Sequence, residues 1–175
     1  MTSPVGAAIR RRELSQFLSC ASKAIGLTGE VSVLLAGDDR IRTLNREFRG
    51  KDQSTDVLSF PAAPPFAAGG QAGDLAISLD TASRQAAECG HTLQTEVKVL
   101  MLHGLLHLAG FDHETDSGEM ARREISLRKE LGLPLGLIER GHPPAPRPAR
   151  KAPAAKKAPP ARTAPKRRKP GSRRP

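Results

Sequence analysis

A chain of 175 residues has room for one globular domain and an appendage. Its net charge of +10 is concentrated at one end: residues 1–140 hold 16 Lys and Arg against all 18 acids, whereas residues 141–175 hold the other 12 Lys and Arg and no acid. Two cysteines exclude a disulfide scaffold, the N-terminal residues lack the apolar core of a signal peptide, and no apolar run is long enough to span a bilayer, so the expectation is a reduced protein of the cytoplasm with no membrane partner.

In chain order, Leu14, Phe17, Leu18, Ala21 and Ile25 recur at helical spacing over residues 9–26, with Gly26 or Gly29 to end the helix. EVSVLLAG (30–37) reads as a strand. DDRIRTLNREF (38–48) reads as a second helix, whose leading aspartates suit the positive end of the helix dipole. After the polar turn RGKDQS, TDVLSF (55–60) reads as a strand stopped by Pro61. PAAPPFAAGGQAG (61–73) is a Pro, Ala and Gly loop, long enough to be either a plain connection or a functional one. DLAISL (74–79) reads as a strand, 80–89 as a helix, and 93–109 as a longer helix ending at Gly110. Asp116 followed by Glu119 resembles a capping box with aspartate in the serine role, starting a last helix that runs to about Leu131. The order implies the α+β class: a small mixed sheet of about four strands packed with about five helices, all within residues 1–140.

Residues 141–175 carry 10 of the 15 prolines, much alanine, and no Leu, Ile, Val or Phe. Such a segment cannot bury enough apolar surface to offset its ordering entropy, and a disordered tail is expected. Its charge suits a polyanion held by counterion release, with nucleic acid or the ribosome ahead of a purely solubilising role.

The chemistry gathers in HGLLHLAGFDH, residues 103–113. Helix residues four apart share a face, so His103 and His107 project side by side. Gly110 permits a sharp turn that can return His113 to the same point. Three imidazoles leave one coordination position open, as in a catalytic zinc site rather than a closed structural one, although imidazole also suits nickel, copper and iron. Three histidines at this spacing outweigh the alternative of ordinary core histidines. His91 and His142 stand outside the pattern and read as surface residues. The spacing is that of the extended zinc-protease motif, but Gly104 stands where such a protease keeps its general-base glutamate. Zinc lowers the pKa of its water to about 7, so some hydrolyses tolerate that loss. Peptide hydrolysis, which also needs a proton carried to the leaving amine, tolerates it less. A phosphodiester asks instead for a metal and an arginine to stabilise charge on phosphoryl oxygens.

Together with LNREFRGKDQSTDVLSFP (44–61) and GDLAIS (73–78), the histidine motif resembles the YbeY family of bacterial metal-dependent endoribonucleases; Glu119, Met120 and Glu124 fit that family's last helix. The resemblance covers most of residues 28–131 and leaves the tail outside. It implies one zinc ion per chain, held by His103, His107 and His113 in a cleft at the end of the central helix. It implies a catalytic, phosphate-contacting role for Arg49, which the residues alone would leave as a solvated arginine in a polar turn, with Lys51 as a further substrate contact. The implied activity is cleavage of single-stranded RNA in maturing the 3′ end of small-subunit rRNA, with a part in ribosome quality control. The implied partners are rRNA, the small ribosomal subunit, one of its proteins and an Era-type GTPase.

Other residues keep two readings each. Asp112 either orients a histidine ligand or stabilises the turn after Gly110. Asp56 and Ser59 either buttress the cleft or pack a strand edge, and Asp74 is either an exposed docking residue or a strand-entry turn residue. With no Trp or Tyr and five Phe, a base-stacking platform is not expected. Two alternative functions are a peptidase-like metallohydrolase and a non-catalytic ribosome-assembly factor with a structural metal.

Overall fold

The computed structural model describes residues 9–63, 67–112 and 116–135, all within one compact unit, Met1–Gly141. His113, His142 and the basic tail, with the expectation that it is disordered, lie outside the described residues.

The elements are α1 (Arg11–Ile25), β1 (Glu30–Ala36), α2 (Asp38–Arg49), β2 (Val57–Pro61), β3 (Gln71–Ser78), α3 (Leu79–Cys89), α4 (Leu93–Leu108) and α5 (Glu119–Glu130). The α+β class and the five helices are as expected. The sheet, however, has three strands among the described residues rather than about four. The Pro, Ala and Gly stretch after β2 adds no strand of its own among the described residues: it includes a short 3-10 turn at Ala67–Gly69, and its last residues already belong to β3.

The strand order is β1-β3-β2, with β1 parallel and β2 antiparallel to the central β3. Strand β3 starts at Gln71, three residues before the expected Asp74, so Asp74 lies inside the ladder, opposite Phe60 and Ser32. Pro61 does not stop β2 but closes it, paired with Gly73, as an edge strand allows. A side chain at Gly73 would come 2.4 Å from the Phe60 carbonyl oxygen, and its φ of +151° also favours glycine.

The sheet is packed on both faces. Leu75 and Ile77 of β3 enter the main core with Leu14 and Phe17 of α1, the apolar side chains of α4, and Met120 and Leu127 of α5. Ala76 points the other way and joins Leu58, Ile41 and Leu44 in a smaller core under α2. This is the alternation that a strand covered on both faces requires. At the start of α2, the Asp38 carboxylate accepts hydrogen bonds from Ser54, Ser78 and Thr81 and from the Arg84 guanidinium. Burial opposes its charge, but these donors prevail and hold the carboxyl well below its usual range.

Helix α4 is apolar around most of its circumference and sits in the middle, against β2, β3, α1, α3 and α5. No helix among the described residues is long and apolar enough to cross a membrane. At Gly104 the α4 backbone rests on the sheet: a Cβ there would lie 2.7 Å from Leu75 Cδ2 and 3.2 Å from Ser59 Oγ. Ser59 also donates to the Gly104 carbonyl at 3.3 Å. The glycine at the protease glutamate position therefore lets the helix approach the sheet closely, and any side chain there would have to displace the Leu75 methyls. Gly104→Ala is expected to lose about 1–2 kcal/mol in chemical denaturation, because overpacking costs more than the gain in helix propensity. Unchanged or increased stability would contradict the close approach.

Candidate metal centre

His103 and His107 stand one turn apart near the C-terminus of α4, both half-buried. Their Nε2 atoms face each other at 3.2 Å, with the rings 4.9 Å apart and inclined by 74°. An Nε2 pair bound to one tetrahedral zinc would be separated by about 3.3 Å, so two corners of such a polyhedron are already in place.

Behind them lies a carboxylate whose part in the site was not anticipated. Glu124 of α5 brings Oε2 to 3.1 Å from His103 Nδ1. Its Oε1 accepts from Arg128 Nε at 2.9 Å and from Arg128 Nη2, and Arg128 Nη1 donates to the Pro134 carbonyl at 3.2 Å. Glu124 and Arg128 are almost wholly buried. Burial alone would raise the Glu124 carboxyl, but the His103 hydrogen bond and charge, then Arg128, outweigh it and hold the carboxyl below its ordinary value. An ionised carboxylate can only accept, so His103 Nδ1 carries the proton and Nε2 presents its lone pair. This is how an outer carboxylate commonly fixes a metal-ligating histidine.

The signal for Glu124 was present in the sequence. Met120, Glu124 and Leu127 recur at helical spacing, which puts a glutamate on the buried face of α5, and Arg128 follows four residues later. The helix starts one residue past Gly118, its N-cap, so Asp116 is not the cap expected. It serves the same end from two residues earlier, accepting the Gly118 and Met120 N–H groups at 2.7 Å each. Those bonds, Met120's first, hold its carboxyl below the ordinary range.

The turn after α4 is a Schellman motif around Gly110, whose φ is +90°. Phe111 N–H donates to the Leu106 carbonyl and Gly110 N–H to the His107 carbonyl, both at 3.0 Å. Phe111 then packs on the main core. The Asp112 backbone carbonyl accepts the Asp116 N–H at 2.9 Å.

Arg49 ends α2 and Lys51 follows Gly50, both exposed. Among the described residues, neither side chain forms a hydrogen bond or ion pair, whereas the nearby Arg42 and Arg46 lie 2.8 and 3.7 Å from Asp52 oxygens. The structure thus brings His103 and His107 together and leaves Arg49 and Lys51 as solvated cations. Phe48, beside Arg49, is 66% exposed and meets Phe60 edge-on at 5.2 Å. Asp56 is structural: it accepts the Val57 N–H at 2.8 Å and a Gln85 amide N–H at 3.3 Å. Asp74 is exposed.

His91 is not the surface residue expected. Its side chain is 13% exposed and its Nε2 lies 3.0 Å from Oε2 of Glu96, which is buried in the first turns of α4. Burial pushes the Glu96 carboxyl up to about 7, against the lowering effect of the Arg128 charge and with a smaller upward contribution from Asp56. Donor atoms of Cys89, His91 and Glu96 all lie within 4.8 Å of one another, a grouping able to hold a metal ion.

Comparison with known proteins gives the family. The family description Endoribonuclease YbeY matches residues 7–132. An endoribonuclease YbeY of Koribacter versatilis is 52% identical over 145 residues, covering 83% of this chain and 93% of its own. One from Solibacter usitatus is 47% identical over 149 residues, covering 80% and 98%. The solution structure of a Thermotoga maritima protein is similar with a TM-score of 0.50 at 30% identity, over 69% of this chain and 79% of that one. With a family match over residues 7–132 and relatives 47–52% identical over most of their length, the chain belongs to the YbeY family of endoribonucleases.

Proposed function

We propose that this protein is a zinc-dependent endoribonuclease that cuts single-stranded RNA, acting in the cytoplasm on the 3′ end of small-subunit rRNA and in ribosome quality control. The observation that carries this reading is the Nε2 pair of His103 and His107, with Glu124 fixing the His103 tautomer, in a chain of an endoribonuclease family. His113 is the third ligand in this reading, and Asp112 steadies the turn that delivers it. Zinc held there supplies Lewis acidity towards a phosphoryl oxygen.

The protein's own residues do the remaining work. Glu124 keeps the proton on His103 Nδ1, away from the ligating nitrogen. Arg49, a cation with no intramolecular partner among the described residues, pairs its planar guanidinium with phosphate oxygens and stabilises the charge that develops on them. Lys51 adds a second phosphate contact. Recognition rests on phosphate and shape, so the cleavage site is chosen by partners: the small subunit, one of its proteins and an Era-type GTPase. The basic tail, with 12 Lys and Arg in residues 141–175, holds the enzyme near polyanionic RNA.

An rRNA 3′-end fragment incubated with zinc-loaded protein tests this directly. His107→Ala is expected to lose both metal and cleavage. Arg49→Glu is expected to keep fold and metal yet cut at least about 100-fold more slowly. Cleavage that survives either substitution would refute the assignment, and zinc loss that only unfolds the protein would favour a structural metal. Glu124→Gln is expected to weaken zinc by about 10–100-fold in chelator competition. It should also destabilise the fold by about 3 kcal/mol, since it strips the buried Arg128 of its counter-charge. Deletion after Arg140 should leave the denaturation midpoint unchanged and weaken RNA binding most at low salt; equal binding by both forms at every salt concentration would remove the tethering role.

A further inference from the structure

We propose that Cys89, His91 and Glu96 form a second divalent-cation site, with a donor set suited to zinc, in the turn between α3 and α4. The three residues follow a Cys-x-His-x4-Glu spacing that the local backbone makes convergent. Cys89 is the last residue of α3, and Gly90 takes the left-handed conformation at φ +71° and reverses the chain. His91 follows, and Thr92 caps α4 by accepting the Thr95 N–H. Glu96 then points back from the first turns of α4 towards the residues before the cap. Sulfur, nitrogen and oxygen donors end within 4.8 Å of one another.

The buried polar atoms point to a missing occupant. Glu96 is 1% exposed, and its Oε2 has no hydrogen-bond partner; buried His91 Nε2 likewise has none, although the two atoms lie 3.0 Å apart. The other ring nitrogen, His91 Nδ1, lies 3.3 Å from the Thr92 carbonyl oxygen, which can only accept. In the neutral tautomer that places its proton on Nδ1, Nε2 keeps a lone pair in the same buried place as the Glu96 carboxylate oxygen, 3.0 Å away. Two acceptors this close in a buried place repel unless a proton or a metal cation bridges them, and a cysteine sulfur in the same cluster favours the metal. A thiolate beside them completes a donor set of the zinc type, too soft for magnesium or calcium. The carbonyl end of α3 favours a cation there, and two anionic donors offset the unfavourable dipole at the start of α4.

This site is separate from the histidine centre. Glu96 and His107 lie at opposite ends of one helix, about 16 Å apart along its axis at 1.5 Å per residue. The assignment does not depend on RNA cleavage or on zinc at His103 and His107.

Cobalt(II) distinguishes the two sites, because only a thiolate site gives sulfur-to-cobalt charge-transfer absorption, and the chain has two cysteines, Cys20 and Cys89. Full-length metal-free protein titrated with cobalt is expected to show that absorption, with two ions bound when the histidine centre also fills. Cys89→Ser should abolish the absorption and remove one bound ion, His91→Ala should do the same, and Cys20→Ser should leave both unchanged. One bound ion with the thiolate absorption present would keep this site and refute the histidine centre. Absence of the absorption in the wild-type protein, its survival in Cys89→Ser, or its loss in Cys20→Ser would overturn the proposal.

Discussion

The contact of the α4 backbone with the sheet at Gly104 sets the geometry of the whole functional end of the molecule. With Leu75 and Ser59 pressed against that residue, the rotation of the helix about its own axis is fixed. At about 100° per residue, positions 103 and 107 then project within about 40° of each other, to one side of the sheet-facing Gly104. The direction they take is the one occupied by α5, and Glu124 waits there. A longer side chain at 104 would lift the helix and rotate both imidazoles away from the carboxylate. The same glycine that stands in place of the protease base thus also sets the direction of His103 and His107.

The Glu124–Arg128 pair is a costly way to hold a histidine. Both charges are taken out of water, and such pairs often add nothing to stability compared with apolar residues of the same size. What the arrangement gives is directional. Arg128 keeps the carboxylate ionised, the ionised carboxylate keeps a proton on Nδ1, and the Pro134 carbonyl receives one of the remaining guanidinium hydrogens. Because α5 also contributes Met120 and Leu127 to the main core, the outer support of the histidine is continuous with the packing of the domain.

How much was legible in the sequence follows from which interactions are local. Local signals (apolar spacing, leading acids, caps and glycine stops) located the five helices of the described residues, and the histidine spacing put His103 and His107 side by side, because each is written within a dozen residues. Gly104 was visible as an anomaly, but its cause lies in Leu75 and Ser59, brought near only by tertiary packing. The true start of β3 was masked by a glycine-rich composition that reads as loop, although Gly73 is there because a neighbouring strand leaves no room for a side chain. Glu124 could have been found from its place on an apolar helix face. His91 and Glu96 meet across a helix cap, where simple periodicity pairs nothing. Arg49 was never legible from the residues alone: its role came from family resemblance, and the structure adds that it is exposed.

The parallel pairing of β1 with β3 has a consequence for how the chain reaches this structure. Glu30 pairs with Gln71 and Ala36 with Ser78, so the central strand acquires its first partner's neighbour only after roughly forty intervening residues have been made. Closing a loop of that length costs entropy before the contact returns anything, which slows folding relative to a helical domain of similar size. Helix α4 comes later still in synthesis and brings more buried apolar side chains to the main core than any other element. Until it emerges, the apolar faces of β1 and β3 lack their main cover, and a nascent chain stalled short of residue 108 would be the form most exposed to aggregation.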